Sequence, residues 1–365
     1  MRIAVLTTSY PRSPEDPSGH FVRSSALALA AEGHEVHVIA PGGSPLGKPE
    51  EDGPLRVHRA GGGSLFTWPG AIARLREAPL RLFSSGVFAA GAVARIATLG
   101  AIDRVVAHWI VPCAFPLAVS ATRAPLDVYA HGADVRLLLR APRDARERVL
   151  SMLLGREARI TFAAAALRDA LERSVNPRLR ERLAAHARVE PPAIDVPDVA
   201  DHAAGLRAGL QLADDERLVV SVCRLISSKR VGLAIEAAHA AGAIVRLVIV
   251  GDGPEHGALV KQAEALGARV TFTGALPRRE ALAWIGAADV LLHTSAIEAA
   301  PTVIREARAR RAGHRLRCGR RVRVGSRRRG DPRRGRRSRA ARARARRTQI
   351  VKLAFVDASG RVRPA

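Results

Sequence analysis

Two basic side chains five positions apart, Arg224 and Lys229, follow directly on the apolar run Leu218–Val222, in the segment Cys223-Arg-Leu-Ile-Ser-Ser-Lys-Arg230. Two cations on one loop at the end of a strand could neutralise a diphosphate and stabilise it as it departs. Further on, Glu298 and Glu306 stand eight positions apart and flank Pro301-Thr302, where a helix is expected to begin. Free backbone N–H groups at that helix start could hold phosphate oxygens or sugar hydroxyls, and Glu306, about a turn inside, could accept hydrogen bonds from a ribose. Gly251-Asp-Gly-Pro254 follows another apolar run, His131-Gly-Ala-Asp134 follows Leu126–Ala130, and a polar loop from Thr8 ends at Gly19. A diphosphate, a ribose and a sugar together describe a nucleotide-sugar donor. Each feature also has a plainer reading. A loop charge pair is usually solvated, Gly251 and Gly253 could serve only a tight turn, Asp134 could cap a helix, and His108-Trp109 is assigned no role.

These residues need strand ends to hold them, and the chain supplies a series of them. Arg2–Thr7, Glu35–Ala40, Arg104–His108 and Leu126–Ala130 are short apolar runs, and Gly19–Glu32 between the first two has helical spacing. A second series starts near Arg217, with strands expected at Leu218–Val222, Arg246–Val250, Val270–Thr273 and Val290–Thr294. Helices are expected at Val231–Ala241, Pro254–Leu266, Arg278–Ala287 and from Thr302. Strands apolar on both faces that alternate with helices predict an α/β protein of two Rossmann-like doubly wound domains. The Pro-containing stretch Val189–Asp201 breaks both periodicities. The expected domains are therefore 1–190, 191–310 (without its final elements) and an Arg-rich tail, 311–365, expected to be disordered.

The 365 residues carry a formal net charge of +25, but the excess is concentrated. Residues 308–365 hold 22 Arg, one Lys and two Asp, a net +21, which leaves +4 on residues 1–307. A near-neutral body with a basic end argues against a nucleic-acid binder built on its folded surface, and no specific nucleic acid is expected. No run of about 18 apolar residues is present, so no membrane span is expected. The N-terminal apolar stretch is too short for a signal peptide. Three cysteines without metal-ligand spacing suggest neither a disulfide framework nor a metal site, which fits a cytoplasmic protein.

The spacing Glu298-x7-Glu306, preceded by the Arg224…Lys229 loop and Gly251-Asp-Gly-Pro254, resembles the retaining glycosyltransferases of family 4, which have the two-domain GT-B fold. Thr7-Thr-Ser-Tyr-Pro, Ser18-Gly-His20 and His131-Gly are similar to that family's first-domain motifs, so the resemblance covers roughly residues 1–310. It implies a donor linked to UDP or GDP. Arg224 and Lys229 would bind the diphosphate and Glu306 the ribose. Glu298 would take a hydroxyl of the transferred sugar. His131 would lie near the reacting face, and Gly19 and Gly251 would line the donor site. It further implies transfer with retention to a glycan or lipid-linked acceptor, by a same-face attack in which the leaving phosphate takes the acceptor proton. No metal and no separate cofactor would be needed. The chain departs from the family at Ala163-Ala-Ala-Ala166 and Pro191-Pro-Ala-Ile-Asp195, where members often carry a Ser-containing segment and an Asn-Gly turn.

After Arg308 the alternation stops. Residues 308–347 carry 20 Arg and one acid, too few apolar groups to offset the entropy of ordering. GC-rich codons read out of frame yield Arg, Gly and Ala in abundance, so the tail reads as a frame-shifted end, and a chain so altered is expected to be a weak or inactive enzyme. An Arg-rich arm that binds nucleic acid or anionic lipid is the alternative from another class. A GT-B nucleotide-sugar epimerase is the alternative within the fold. The segment Pro69–Leu99, apolar with Arg74, Arg76, Arg81 and Arg95 interspersed, reads as helices on the first sheet or as a peripheral contact with the inner face of a membrane.

Overall fold

The structure is a computed structural model. It describes residues 1–311, apart from 14, 15, 17, 64, 67–70, 72, 73, 76, 77, 195 and 297, and also residues 354–356 and 362–364. Contacts divide the chain into two compact units, Met1–Asp195 with Ile297–Thr302, and Val196–Ala296 with Val303–Ala365. Each unit is a doubly wound α/β layer structure.

The first unit is built on β1 (Arg2–Leu6), whose residues 3–6 are all buried. Its side chains alternate between two cores. Ala4 and Leu6 pack with Phe88, Ala107 and Val128, whereas Ile3 and Val5 pack with Val22, Val36 and Val57. A strand covered on both faces has no polar side, which is why it is apolar throughout. Around it lie β2 (Glu35–Ala40), β3 (Glu50–Asp52), β4 (Leu55–Arg59), β5 (Arg104–His108), β6 (Leu126–Ala130), β7 (Arg159–Phe162) and β8 (Ala187–Val189). The sheet order is β3-β4-β2-β1-β5-β6-β7-β8. All pairings are parallel except the β3–β4 hairpin, which turns at Gly53. β1 therefore has β2 on one side and β5 on the other. The order of the strands reverses there, and in such sheets ligands bind beyond the carboxyl ends of the strands at that point.

The second unit repeats the scheme with β9 (Arg217–Val222), β10 (Val245–Val250), β11 (Val270–Gly274) and β12 (Val290–Leu291), all parallel in the order β11-β10-β9-β12. Val219, Leu247 and Ile249 face one core, and Leu218, Val220, Val248 and Val250 face the other. The expected helices form as His20–Ala31, Val231–Ala241, His256–Leu266, Arg278–Ala287 and Thr302–Arg311.

Two readings change. The strand expected over Val290–Thr294 is only Val290–Leu291. The ladder ends after the Leu292 N–H reaches the Val220 carbonyl, and the Thr294 hydroxyl donates to the Lys229 carbonyl instead. The hairpin β3–β4 and the outer strands β7 and β8 extend the first sheet beyond the four strands read from periodicity. The C-terminal disorder expected for 311–365 falls on residues outside the described set, apart from two short antiparallel strands, Ala354–Val356 and Val362–Pro364.

In the apolar stretch before Leu99, a 3-10 turn Pro79–Leu82 leads into the helix Phe83–Thr98, together long and apolar enough in composition to cross a membrane. Phe88, Ala92 and Ile96 bury one side of that helix in the core of the first unit. Gly91 lets it approach closely, since a Cβ there would lie 2.3 Å from the Ala60 carbonyl oxygen. Arg95 is also buried, its guanidinium donating to the carbonyls of Pro45 and Gly47.

Candidate glycosyl-transfer site

In the first unit the loops after β5 and β6 are held together by one carboxylate. Asp134 opens the helix Ala133–Arg140, is 2% exposed, and accepts the Ile110 N–H at 2.8 Å and the Gly132 N–H at 2.9 Å. Burial pushes its carboxyl up, and the backbone N–H bonds pull it back. It is therefore a tie between loops rather than merely a helix cap. The tie holds Trp109, a bulky residue at φ 77°, in a conformation that costs on the order of 1–3 kcal/mol. Trp109 N–H donates to the Tyr129 carbonyl, and Ala114 N–H donates to the Trp109 carbonyl, so the loop is fixed on both sides.

His131 stands within this frame. Its ring lies 4.9 Å from those of Phe21 and Trp109, centre to centre, and burial brings its pKa down to about 4. His131 is therefore neutral near pH 7 and suited to hydrogen-bond a sugar hydroxyl rather than to carry charge. Its Nε2 lies 2.9 Å from Nδ1 of His108 at the end of β5. His108 had no role in the sequence reading. The signal for it was present only as two histidines, one ending and one following strands that turn out to be neighbours.

Gly19 ends the loop after β1 at φ 68° and is the residue before the helix His20–Ala31. A Cβ there would lie 2.1 Å from the Ser9 carbonyl oxygen, so only glycine lets the loop fold back on itself. The loop is pinned by the Tyr10 hydroxyl, which donates to Asp52 at 2.6 Å, and Arg23 clamps the same carboxylate with two bonds of 2.7 Å. Thr8, Ser9, Arg12, Ser18 and Phe66 are among the residues lining a cavity at this loop.

In the second unit the Arg224…Lys229 loop is closed on the loop after β10. The Leu225 N–H donates to the Asp252 carbonyl at 2.9 Å, and the Glu255 N–H donates to the Leu225 carbonyl at 3.1 Å. Gly251, at φ 135°, makes this contact feasible, since a Cβ on it would stand 1.9 Å from the Cys223 carbonyl oxygen. Leu225 is fully buried and anchors the loop, while Arg224 is exposed and Lys229 half-buried. The Ala296 N–H donates to the Ser228 carbonyl at 3.0 Å, fastening the segment after β12 beside Lys229.

The two glutamates differ. Glu306, on Thr302–Arg311, is 5% exposed and pairs with Arg278 at 3.0 Å. Glu298 is exposed, in the segment 297–302 that groups with the first unit. Arg224, Lys229, Gly251 and Glu306 thus belong to the second unit, and Gly19 and His131 to the first. Among the described residues, no three His, Cys, Asp or Glu side chains cluster as metal ligands.

Two doubly wound α/β units with these loops at their strand ends are the architecture of the GT-B fold. Residues 18–196 match the family described as Glycosyltransferase Family 4, and residues 205–311 match Glycosyl transferases group 1. The chain belongs to these family 4, group 1 glycosyltransferases, which move a sugar from a nucleotide-sugar donor. Solved structures share the fold. The sucrose-phosphate synthase of Thermosynechococcus elongatus is 22% identical with a TM-score of 0.60, over 85% of this chain and 79% of that one. HepE of Anabaena, in complex with UDP and glucose, is 20% identical with a TM-score of 0.56, over 85% and 78%. WaaG, a glycosyltransferase involved in lipopolysaccharide biosynthesis, is 19% identical with a TM-score of 0.53, over 84% and 78%. No curated protein matches the chain.

The buried histidines set an acid limit. His131 and His58 are both brought down to about 4, and His108 and His37 are also lowered, in each case chiefly by burial. Between about pH 4 and 6.5 the unfolded chain binds protons that the folded chain does not, so stability falls as pH falls through that window. Asp134, with its raised carboxyl, works in the opposite direction. For His131 alone the loss is on the order of 3 kcal/mol. The midpoint of urea unfolding is expected to drop from pH 7 to pH 5, and less steeply in His131→Gln. An unchanged midpoint over that range would mean that the histidines titrate normally in the native protein.

Proposed function

We propose that the chain transfers a sugar with retention from a UDP- or GDP-linked donor to a glycan or lipid-linked acceptor, in the cytoplasm. The observation that carries the reading is the paired loop of the second unit. Arg224 and Lys229 stand on a backbone locked to Asp252 and Glu255, as a charge clamp for a leaving diphosphate requires. In this reading Arg224 and Lys229 neutralise the diphosphate as the glycosidic bond breaks. Glu306, already oriented by Arg278, accepts from the ribose, and Gly251 lines the donor site on the loop after β10, which it lets close on Cys223. Glu298 takes a sugar hydroxyl, and His131 faces the transferred sugar with Gly19 near the phosphates. The acceptor occupies the cavity beside Ser9, Arg12 and Ser18. The leaving phosphate takes the acceptor proton, so no carboxylate nucleophile and no metal is required. An epimerase built on the same fold would release free sugar products instead of an extended acceptor, and product analysis separates the two.

The match to Glycosyl transferases group 1 ends at residue 311, where the Arg-rich composition begins. This supports reading 308–365 as sequence out of frame, with transferase turnover low beside that of an in-frame relative. Sequencing the coding DNA is expected to reveal, one base over, an uninterrupted frame with a strand-and-turn pattern. Stop codons there would remove the frame-shift reading and favour an Arg-rich arm for polyanions.

Donor binding is the direct test of the site. Ligands that bind the native state raise its apparent stability by an amount set by their affinity, about 2.7 kcal/mol at 100 times Kd. A screen of UDP-, GDP- and ADP-sugars is expected to raise the melting temperature with one of them. Arg224→Ala and Lys229→Ala are each expected to weaken that ligand by about tenfold or more, the equivalent of a charged hydrogen bond of ~1.5–3 kcal/mol. A screen in which no nucleotide sugar moves the transition would overturn the assignment.

A peripheral membrane contact is supported by the exposed apolar tip before the helix Phe83–Thr98, where Leu80, Leu82, Phe83 and Val87 are 78%, 61%, 76% and 53% exposed beside Arg81. Sedimentation with vesicles containing anionic lipid is expected to carry the protein down, and Leu80→Ser with Phe83→Ser to leave it in the supernatant. Equal sedimentation of both proteins would place any lipid contact elsewhere.

A further inference from the structure

His108 is buried at the end of β5, where the register of the parallel pair sets it opposite Tyr129 of β6 and so near His131. The rings of His108 and His131 are parallel to within 7°, with centres 5.2 Å apart. The facing nitrogens, Nδ1 of His108 and Nε2 of His131, are 2.9 Å apart. Nitrogens that close, within that separation of ring centres, lie near the line joining the centres. The rings therefore meet edge to edge, as an N–H···N bond demands, and not face to face.

Which ring donates follows from the rest of His108. A neutral imidazole carries one N–H and one bare nitrogen, and burial keeps both rings neutral. Nε2 of His108 is buried without a hydrogen-bond partner among the described residues. Were His131 the donor, the proton of His108 would sit on that Nε2, a buried N–H facing no acceptor. With His108 Nδ1–H as the donor, only a lone pair is left there. Orphaned buried donors are the rarer and costlier of the two.

We propose that His108 is a positioning residue that holds His131 as the tautomer protonated on Nδ1. Nε2 of His131 is occupied by His108, so Nδ1–H is the group His131 offers to a ligand oxygen. Phe21 and Trp109, each 4.9 Å from the His131 ring, wall it in. The parallel ring of Tyr129, 5.3 Å away, fixes His108 in turn. The consequence for the transferred sugar rests on the reading that His131 faces it. The tautomer assignment itself rests only on the first unit.

Long-range proton–nitrogen correlation on the full chain with 15N-labelled histidine reads the tautomer directly, with His131→Ala identifying the signals of His131. The expected result is a protonated Nδ1 and a bare Nε2 on His131. His108→Asn, whose amide N–H reaches the same place as Nδ1, should keep that pattern, and His108→Asp, whose carboxylate can only accept there, should place a proton on Nε2. A native protein with Nε2 of His131 protonated, or a bare Nε2 in His108→Asp, would overturn the proposal. If His108→Asp fails to fold, the native and His108→Asn spectra decide. Calorimetry with the nucleotide sugar found in the thermal screen is expected to give about tenfold weaker binding for His108→Asp and near-native binding for His108→Asn. Equal binding by both variants, with the proton moved to Nε2 in His108→Asp, would remove His131 from the sugar contact and leave the positioning role in place.

Discussion

Burying both faces of a parallel sheet leaves the strand ends as the place for chemistry, and that constraint organises both units. Ile3 and Val5 pack into one core while Ala4 and Leu6 pack into the other, so β1 has no face on which to display a functional group. β9 and β10 behave in the same way. What a strand cannot show on its faces, it delivers at its carboxyl end. Gly19, His131, Arg224 and Gly251 all lie in the segments that follow β1, β6, β9 and β10. Parallel pairing sends all these ends of one sheet to the same edge, so residues far apart in the chain meet there.

Loops at that edge need support, because exposed backbone without regular pairing is mobile unless something ties it down. The two units solve this differently. In the first, a buried carboxylate binds two loops, since Asp134 holds both Ile110 and Gly132 and keeps Trp109 in a left-handed conformation. In the second, backbone binds backbone, and glycine makes this feasible by removing the side chain that would collide with the opposing carbonyl. The first device gives a rigid aromatic frame around a neutral histidine. The second gives two cations on a stiff loop, with charge kept near the surface where a diphosphate can reach it.

The architecture was legible because its signals are local. Apolar runs of strand length, helices with a 3.6-residue repeat and glycines after strands are all written within a dozen residues of one another, and they led to four of the eight strands of the first sheet, to all four of the second and to the helices between those of the second. The signals weakened toward the sheet edges. β3 is wholly acidic, β7 and β8 are short and mix polar with apolar residues, and β12 loses its last residues where Thr294 bonds the Lys229 loop. The family motifs indicated which side chains matter, but not their state. Nothing in the spacing of Glu298 and Glu306 distinguishes an exposed carboxylate from one buried against Arg278.

By itself the sequence determined the class of fold and the loops that carry charge, because each depends on periodicity or on composition within a short stretch. The tertiary structure alone decided which side chains touch. His108 and His131 are 23 positions apart and meet because β5 and β6 are neighbours in parallel register. Arg278 and Glu306 are 28 positions apart, on separate helices, and they meet through the packing of the second unit. Hydrogen bonds and ion pairs act over about 3 Å, and which groups come within that distance is settled by sheet order and packing rather than by spacing along the chain.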